Sequence, residues 1–214
     1  MVSLKATAED LTRYQQMVTV LQGVAQRRHQ AGNRADGLYY QLLADYYARV
    51  LRAKQEGGFV VAHTLMLPTE PLLAMGVVPL CMEVTTSTLM VLHREYEELL
   101  STSKNFGLNP FLCSVHKSVV GAWAKGWVPT PDAVVWSKQA CENTAMVGTA
   151  MMDLCQCPGY HVDRPYRCLD REIEYYAEEL QGMVDFLEGL SGCKLDKDKL
   201  AETIRHAGEM VSLQ

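Results

Sequence analysis

Gly57-Gly58-Phe59-Val60-Val61-Ala62 marks a change of texture in this 214-residue chain. Two glycines stop a helical pattern and release unbroken apolar residues, too few for a buried helix and lacking the alternation of a half-exposed strand. Runs of that kind are strands covered on both faces, as parallel sheets require. The texture returns at Val77-Val78-Pro79-Leu80, Ala133-Val134-Val135-Trp136 and Gly159-Tyr160-His161-Val162. Between these runs lie helical patterns over Glu70 to Met75, Leu89 to Leu100, the residues after Cys113, and Glu142 to Leu154. Strand and helix in alternation predict right-handed crossovers and a layered α/β domain.

On the N-terminal side, Leu11, Tyr14, Met17, Val18, Leu21 and Val24 recur at helical spacing within residues 8–32. Gly32-Asn33 and Asp36-Gly37 break the pattern, and Leu38, Leu42, Leu43, Tyr46, Val50 and Leu51 resume it up to Gly57-Gly58. On the C-terminal side, Ile173, Tyr176, Ala177, Leu180, Met183, Val184 and Leu187 share one helix face, with Asp170 placed to cap the start and Gly192 to end it. Asp196 caps an expected last helix that runs to Gln214. The organisation expected is a helical segment at 1–57, a Rossmann-like three-layer α/β domain with a short parallel sheet at 58–168, and C-terminal helices at 169–214.

The balance of 20 Lys and Arg against 25 Asp and Glu, a net charge of −5, carries no basic block for a phosphate backbone. Nucleic acid is therefore not an expected partner. The start Met1-Val2-Ser3-Leu4-Lys5 leads into an amphipathic pattern without an apolar leader, and no run reaches the roughly 18 apolar residues a membrane span needs. A cytoplasmic protein without a membrane partner is the expectation. Gly57-Gly58 precedes a strand instead of following one, so no glycine-rich phosphate loop supports nucleotide binding.

Seven cysteines in a chain of ordinary core-forming composition read as reduced thiols, and the one tight pair, Cys155-Gln156-Cys157, lacks the second pair of a zinc ribbon. Two others stand out by position. Cys113, in Phe111-Leu112-Cys113-Ser114-Val115-His116-Lys117-Ser118, and Cys141, in Ser137-Lys138-Gln139-Ala140-Cys141-Glu142-Asn143-Thr144, each lie at the mouth of an expected helix. Helix N-termini carry partial positive charge and free N–H groups, which favour a thiolate and donate to sulfur. The residues alone leave two readings open: ligands for a soft metal or an iron–sulfur cluster, or two small buried side chains.

From about Phe59 to Leu200 the chain resembles the 2-hydroxyacyl-CoA dehydratase and benzoyl-CoA reductase family. The resemblance rests on six elements in order. They are Leu67-Pro68-Thr69-Glu70, Gly76-Val77-Val78-Pro79, Cys113-Ser114-Val115-His116-Lys117-Ser118, Asp132-Ala133-Val134-Val135-Trp136 leading to Cys141-Glu142-Asn143-Thr144, Pro158 to Pro165, and a Tyr-rich helix from Glu174-Tyr175-Tyr176 to Leu187-Glu188-Gly189-Leu190-Ser191-Gly192. Lys117 stands where the family has Arg, and Glu142 where it has Asp.

The resemblance implies an α/β subunit pairing with a second dehydratase-type subunit or domain and holding a [4Fe-4S] cluster through three cysteines. Cys113 and Cys141 match two of them. The third belongs to a second α/β domain, so no third protein ligand is evident among these 214 residues. The resemblance further implies an acyl-CoA substrate, an ATP-dependent electron-donating activator, and reductive ketyl-radical elimination of water from a 2-hydroxyacyl-CoA. Glu70 is the implied catalytic residue, at the leaving hydroxyl or the CoA ester, with His63 and Thr64 beside it on the substrate.

Other readings stay open. His63 and His116 read equally as hydrogen-bonded core histidines, and Glu70 as a helix N-terminal carboxylate. Cys155, Cys157 and Cys168 read as unligated thiols or as a recruited third ligand. The function read is an iron–sulfur lyase subunit, the alternatives being benzoyl-CoA-reductase-like ring reduction and a non-catalytic accessory or assembly protein that keeps the fold for partner contact.

Overall fold

The computed structural model describes residues 8–138 and 141–213. Met1–Lys5 of the expected leaderless start, Gln139 and Ala140 of the second cysteine motif, and Gln214 lie outside them. In chain order the elements are α1 (Thr12–Gln30), α2 (Arg34–Glu56), β1 (Val60–His63), α3 (Glu70–Met75), β2 (Val78–Cys81), α4 (Met82–His93) and α5 (Tyr96–Asn105). There follow α6 (Ser114–Ala124), β3 (Ala133–Trp136), α7 (Asn143–Cys155), β4 (Gly159–His161), α8 (Asp170–Ser191) and α9 (Lys197–Ser212).

All four expected strands form, two of them one residue later than the apolar runs suggest. They make a parallel sheet of order β2-β1-β3-β4, in which Ala62 lies between Leu80 and Val134. The pleat sorts alternate residues into two cores. Val60, Ala62, Val134 and Trp136 point into one with Tyr14, Met17, Tyr47, Val119, Trp123, Val147 and Met151 from α1, α2, α6 and α7. Val61, Ala133 and Val135 point into the other with Leu72 and Met75 of α3 and Met183, Val184 and Leu187 of α8. Three layers result, with α1 and α2 packed into the same core as the strands. Asp132 locks that packing: its carboxylate accepts from Val60 N at 2.7 Å and from Lys54 Nζ, at the end of α2, at 2.9 Å.

Two local expectations are corrected. The single helix over Leu89 to Leu100 is two, because Arg94 adopts a left-handed φ of +57° between α4 and α5. Asp170 is not the cap of α8 but its first residue. Leu169 occupies the cap position, and the Glu172 carboxylate accepts from its backbone N–H at 3.1 Å. Asp196 does cap α9, accepting from Asp198 N and Lys199 N, and Gly192 closes α8 at φ +71°. The helix expected to reach Gln214 ends at Ser212. Among the described residues no helix is long and apolar enough to cross a membrane.

Candidate functional site

From β1 the chain crosses by α3 to β2 on one side, then returns past β1 through α4, α5 and α6 to β3 on the other. The loops leaving the C-terminal ends of β1 and β3 therefore diverge, and open α/β sheets bind ligands in that crevice. Here the two loops are also fastened together. Thr64, fully buried, donates its N–H to Val135 O at 3.3 Å and accepts at its hydroxyl from Ser137 N at 3.1 Å. The next residues form a tight turn closed by Leu67 N donating to Thr64 O, with Met66 at φ +71°. A non-glycine residue in that region costs of order 1 kcal/mol, and such positions cluster at ligand sites.

Glu83, in the first turn of α4, braces this turn: its Oε2 accepts from Leu65 N at 2.9 Å. Its Oε1 lies 3.4 Å from His116 Nε2 in α6, both side chains being under a tenth exposed, at 8% and 7%. The contact is near enough for attraction but too poorly aligned for a hydrogen bond. Glu83 Oε1, His116 Nδ1 and Ser137 Oγ are buried polar atoms with no hydrogen-bond partner among the described residues.

A cleft of about 600 Å³ has Glu83 in its lining, with His116 behind it. Leu21 and Val24 of α1, Tyr39, Tyr40 and Leu43 of α2, Val84, Val91 and Leu92 of α4, Leu65 and Val115 form its apolar walls. Beside it, sharing Leu43, Leu65 and Val84, lies a second cavity of about 540 Å³ lined by Tyr46, Arg49, His63, Thr69 and Cys81. His63 is buried with its Nδ1 3.0 Å from Thr64 O, and burial holds its pKa below the usual histidine value. Burial likewise pushes the Cys81 thiol up to about 12.

Cys113 is the N-cap residue of α6 and is exposed; Cys141 lies just ahead of α7 and is half-buried. Both helix starts are tied down. Lys117, buried in α6, donates from Nζ to Pro110 O at 2.7 Å, fixing the segment that leads to Cys113. Thr144 Oγ1 contacts both Ser137 O at 2.7 Å and Cys141 O at 2.6 Å, folding the β3 loop back onto α7. Helices α6 and α7 pack against each other. As a cluster site the donor set is incomplete: among the described residues no group of three or more His, Cys, Asp or Glu side chains gathers as a metal requires.

The expected site residues thus divide. His63 and Thr64 join the crevice. Glu70 opens α3 but lines a different groove, of about 330 Å³, with Pro68, Pro71, Leu180, Val184 and Ile204 under α8 and α9. Its carboxylate adds to burial in raising the Tyr176 pKa there. Glu83 was missed by the sequence reading. Its signal is an acidic residue in Cys81-Met82-Glu83-Val84, straight after a buried strand, where a solvated carboxylate has no reason to be.

Against this geometry the comparison with known families is specific. The model of the family described as 2-hydroxyglutaryl-CoA dehydratase, D-component, matches residues 64–213. No curated protein gives a significant match to the chain. The match begins at the Thr64 turn and takes in Glu83, Cys113, His116 and Cys141, while His63 and the cleft walls from α1 and α2 precede it. The chain belongs to the 2-hydroxyglutaryl-CoA dehydratase D-component family.

Proposed function

We propose that this chain is an iron–sulfur subunit, or half-subunit, that removes water reductively from a 2-hydroxyacyl-CoA, working with a second dehydratase-type component and an ATP-dependent electron donor. The observation that carries the reading is buried Glu83 in the lining of an apolar cleft, paired behind the wall with His116, one helical turn from Cys113. The cleft binds and dries the acyl thioester. Glu83 is held by Leu65 N with its Oε1 beside His116, and this pair is the acid–base group placed to deliver a proton to a departing hydroxide. Glu83 takes the position at the leaving hydroxyl that the resemblance implied for Glu70, which faces another groove. Thr64 and His63 shape the turn over the substrate.

Cys113 and Cys141 supply two cluster ligands, the remainder coming from outside the described residues. When bound, the cluster supplies the single electron that makes the 2-hydroxyl expellable. A second reading, a non-catalytic accessory protein, is favoured by one observation: among the described residues no three His, Cys, Asp or Glu side chains gather as a metal requires. Anaerobic reconstitution with ferrous iron and sulfide separates the two. The expected result is a broad visible charge-transfer band that weakens in Cys113→Ala and in Cys141→Ala. A chain that stays colourless supports the accessory reading.

A further inference from the structure

The cleft above Glu83 also carries information about which acyl group it takes. Among the described residues its lining contains no Lys, Arg or His. The polar side chains present are Tyr39, Tyr40, Ser87, Thr88 and Glu83, and the Thr88 hydroxyl is already engaged, donating to Val84 O at 2.8 Å and contacting Tyr47 Oη at 2.9 Å. Arg94 lines an adjoining depression with Met90 and Tyr96, and Arg49 lines the neighbouring cavity; neither is in the cleft wall. The one charged side chain in the lining is itself a carboxylate.

We infer that the cleft is the acyl pocket and selects uncharged, apolar acyl groups, branched aliphatic or aromatic, against acyl groups that end in a carboxylate. The inference rests on the acyl-CoA reading above. A second carboxylate placed here loses its water, finds no cation, and lies in the same cleft as Glu83. An alkyl or phenyl end instead buries against Leu21, Val24, Leu43, Val84 and Leu92, with affinity rising about fourfold per methylene. The pantetheine arm is a poorer occupant, because its amides would meet almost no free donor or acceptor in these walls. The thioester end comes to lie at Glu83 and Val115, in the first turn of the helix that Cys113 caps.

The test is calorimetric titration of the purified chain with CoA, acetyl-CoA, glutaryl-CoA and 5-methylhexanoyl-CoA, the last copying the shape of glutaryl-CoA with an isopropyl group in place of the carboxylate. The expected order is 5-methylhexanoyl-CoA tightest, with glutaryl-CoA weaker by roughly 30-fold or more, the scale of an unpaired charge in a partly dried site. Ser87→Arg, which places a cation in the wall, should narrow or invert that ratio. Val91→Arg at the 75% exposed rim repeats the test on a position where folding is not at stake, circular dichroism reporting the fold of both. Equal or tighter binding of glutaryl-CoA overturns the selectivity while leaving the acyl-CoA reading intact. Equal affinity for all four ligands shows that the acyl group is not in this cleft and also overturns it. No binding of any CoA compound removes the acyl-CoA reading, and the inference with it.

Discussion

His116 Nε2 and Glu83 Oε1 stand 3.4 Å apart across the gap between α6 and α4, both buried, and the other carboxylate oxygen of Glu83 holds the backbone of Leu65. One side chain thus joins the turn after β1, the helix after β2 and the helix that begins at Cys113. Removing it leaves Leu65 N–H and His116 without a partner in a dry site. Glu83→Ala is expected to destabilise the fold by about 3–5 kcal/mol. Glu83→Gln keeps an acceptor for Leu65 N and should cost about 1 kcal/mol. Urea unfolding of the two variants checks the difference.

His63 sets a pH dependence. Burial lowers its pKa in the folded state below the unfolded value of 6.5. Above 6.5 neither state binds the proton, and the group has no effect. As the pH falls below 6.5 the unfolded chain takes up a proton before the folded one, so stability declines down to the lowered folded pKa, by at most about 1.4 kcal/mol per pH unit. Carboxylates with lowered pKa values, such as Glu95 and Glu188, release stability only below about 4.5, so they do not contribute to the slope just below pH 6.5. His63→Gln is expected to flatten the slope just below pH 6.5, as read from unfolding midpoints against pH.

The thiols should separate by reactivity. Cys81 is buried, with a pKa pushed up to about 12, whereas Cys113 and Cys168 are exposed. The thiolate is the species that alkylates. With iodoacetamide at pH 8, Cys113 and Cys168 are expected to label first and Cys81 only after denaturation, as followed by peptide mass spectrometry. Rapid labelling of Cys81 in the native chain would contradict the packing around β2.

Gly121 lets α6 approach α5 closely: a Cβ there would come 2.3 Å from Leu99 O. Backbone does not yield as a flexible side-chain tip does. Gly121→Ala is expected to cost about 1–3 kcal/mol and to shift the helix that carries Cys113 and His116. Thermal unfolding together with the labelling rate of Cys113 reports both effects.

The elements were legible because their causes are local. The runs of β1, β2 and β3 are covered on both faces, so they carry no alternation, whereas β4 at the edge is half-buried, and the glycines and Asp196 mark helix ends by conformations that need no distant partner. The break at Arg94 was not legible. Nothing in Leu92-His93-Arg94-Glu95 forbids a continuing helix, and the left-handed turn there accompanies the packing of α5 on α6. The cysteine positions could be read from their places at helix starts, and Thr64 and Glu70 from motif order. That Glu70 faces the α8–α9 groove while Glu83 faces His116 depends on which side of the sheet each crossover helix occupies.

By itself, then, the sequence determined four parallel strands, most of the helices between them, two thiols at helix mouths and the family. Hydrophobic periodicity and caps act over a few residues, and motif order is a property of the string. Only the tertiary structure decided the strand order that opens the crevice between β1 and β3, the meeting of Glu83 with His116, and the apolar cleft walled by α1, α2 and α4. Those features join residues dozens of positions apart, and their physical cause is which faces are buried together, a condition that only the packed chain can satisfy.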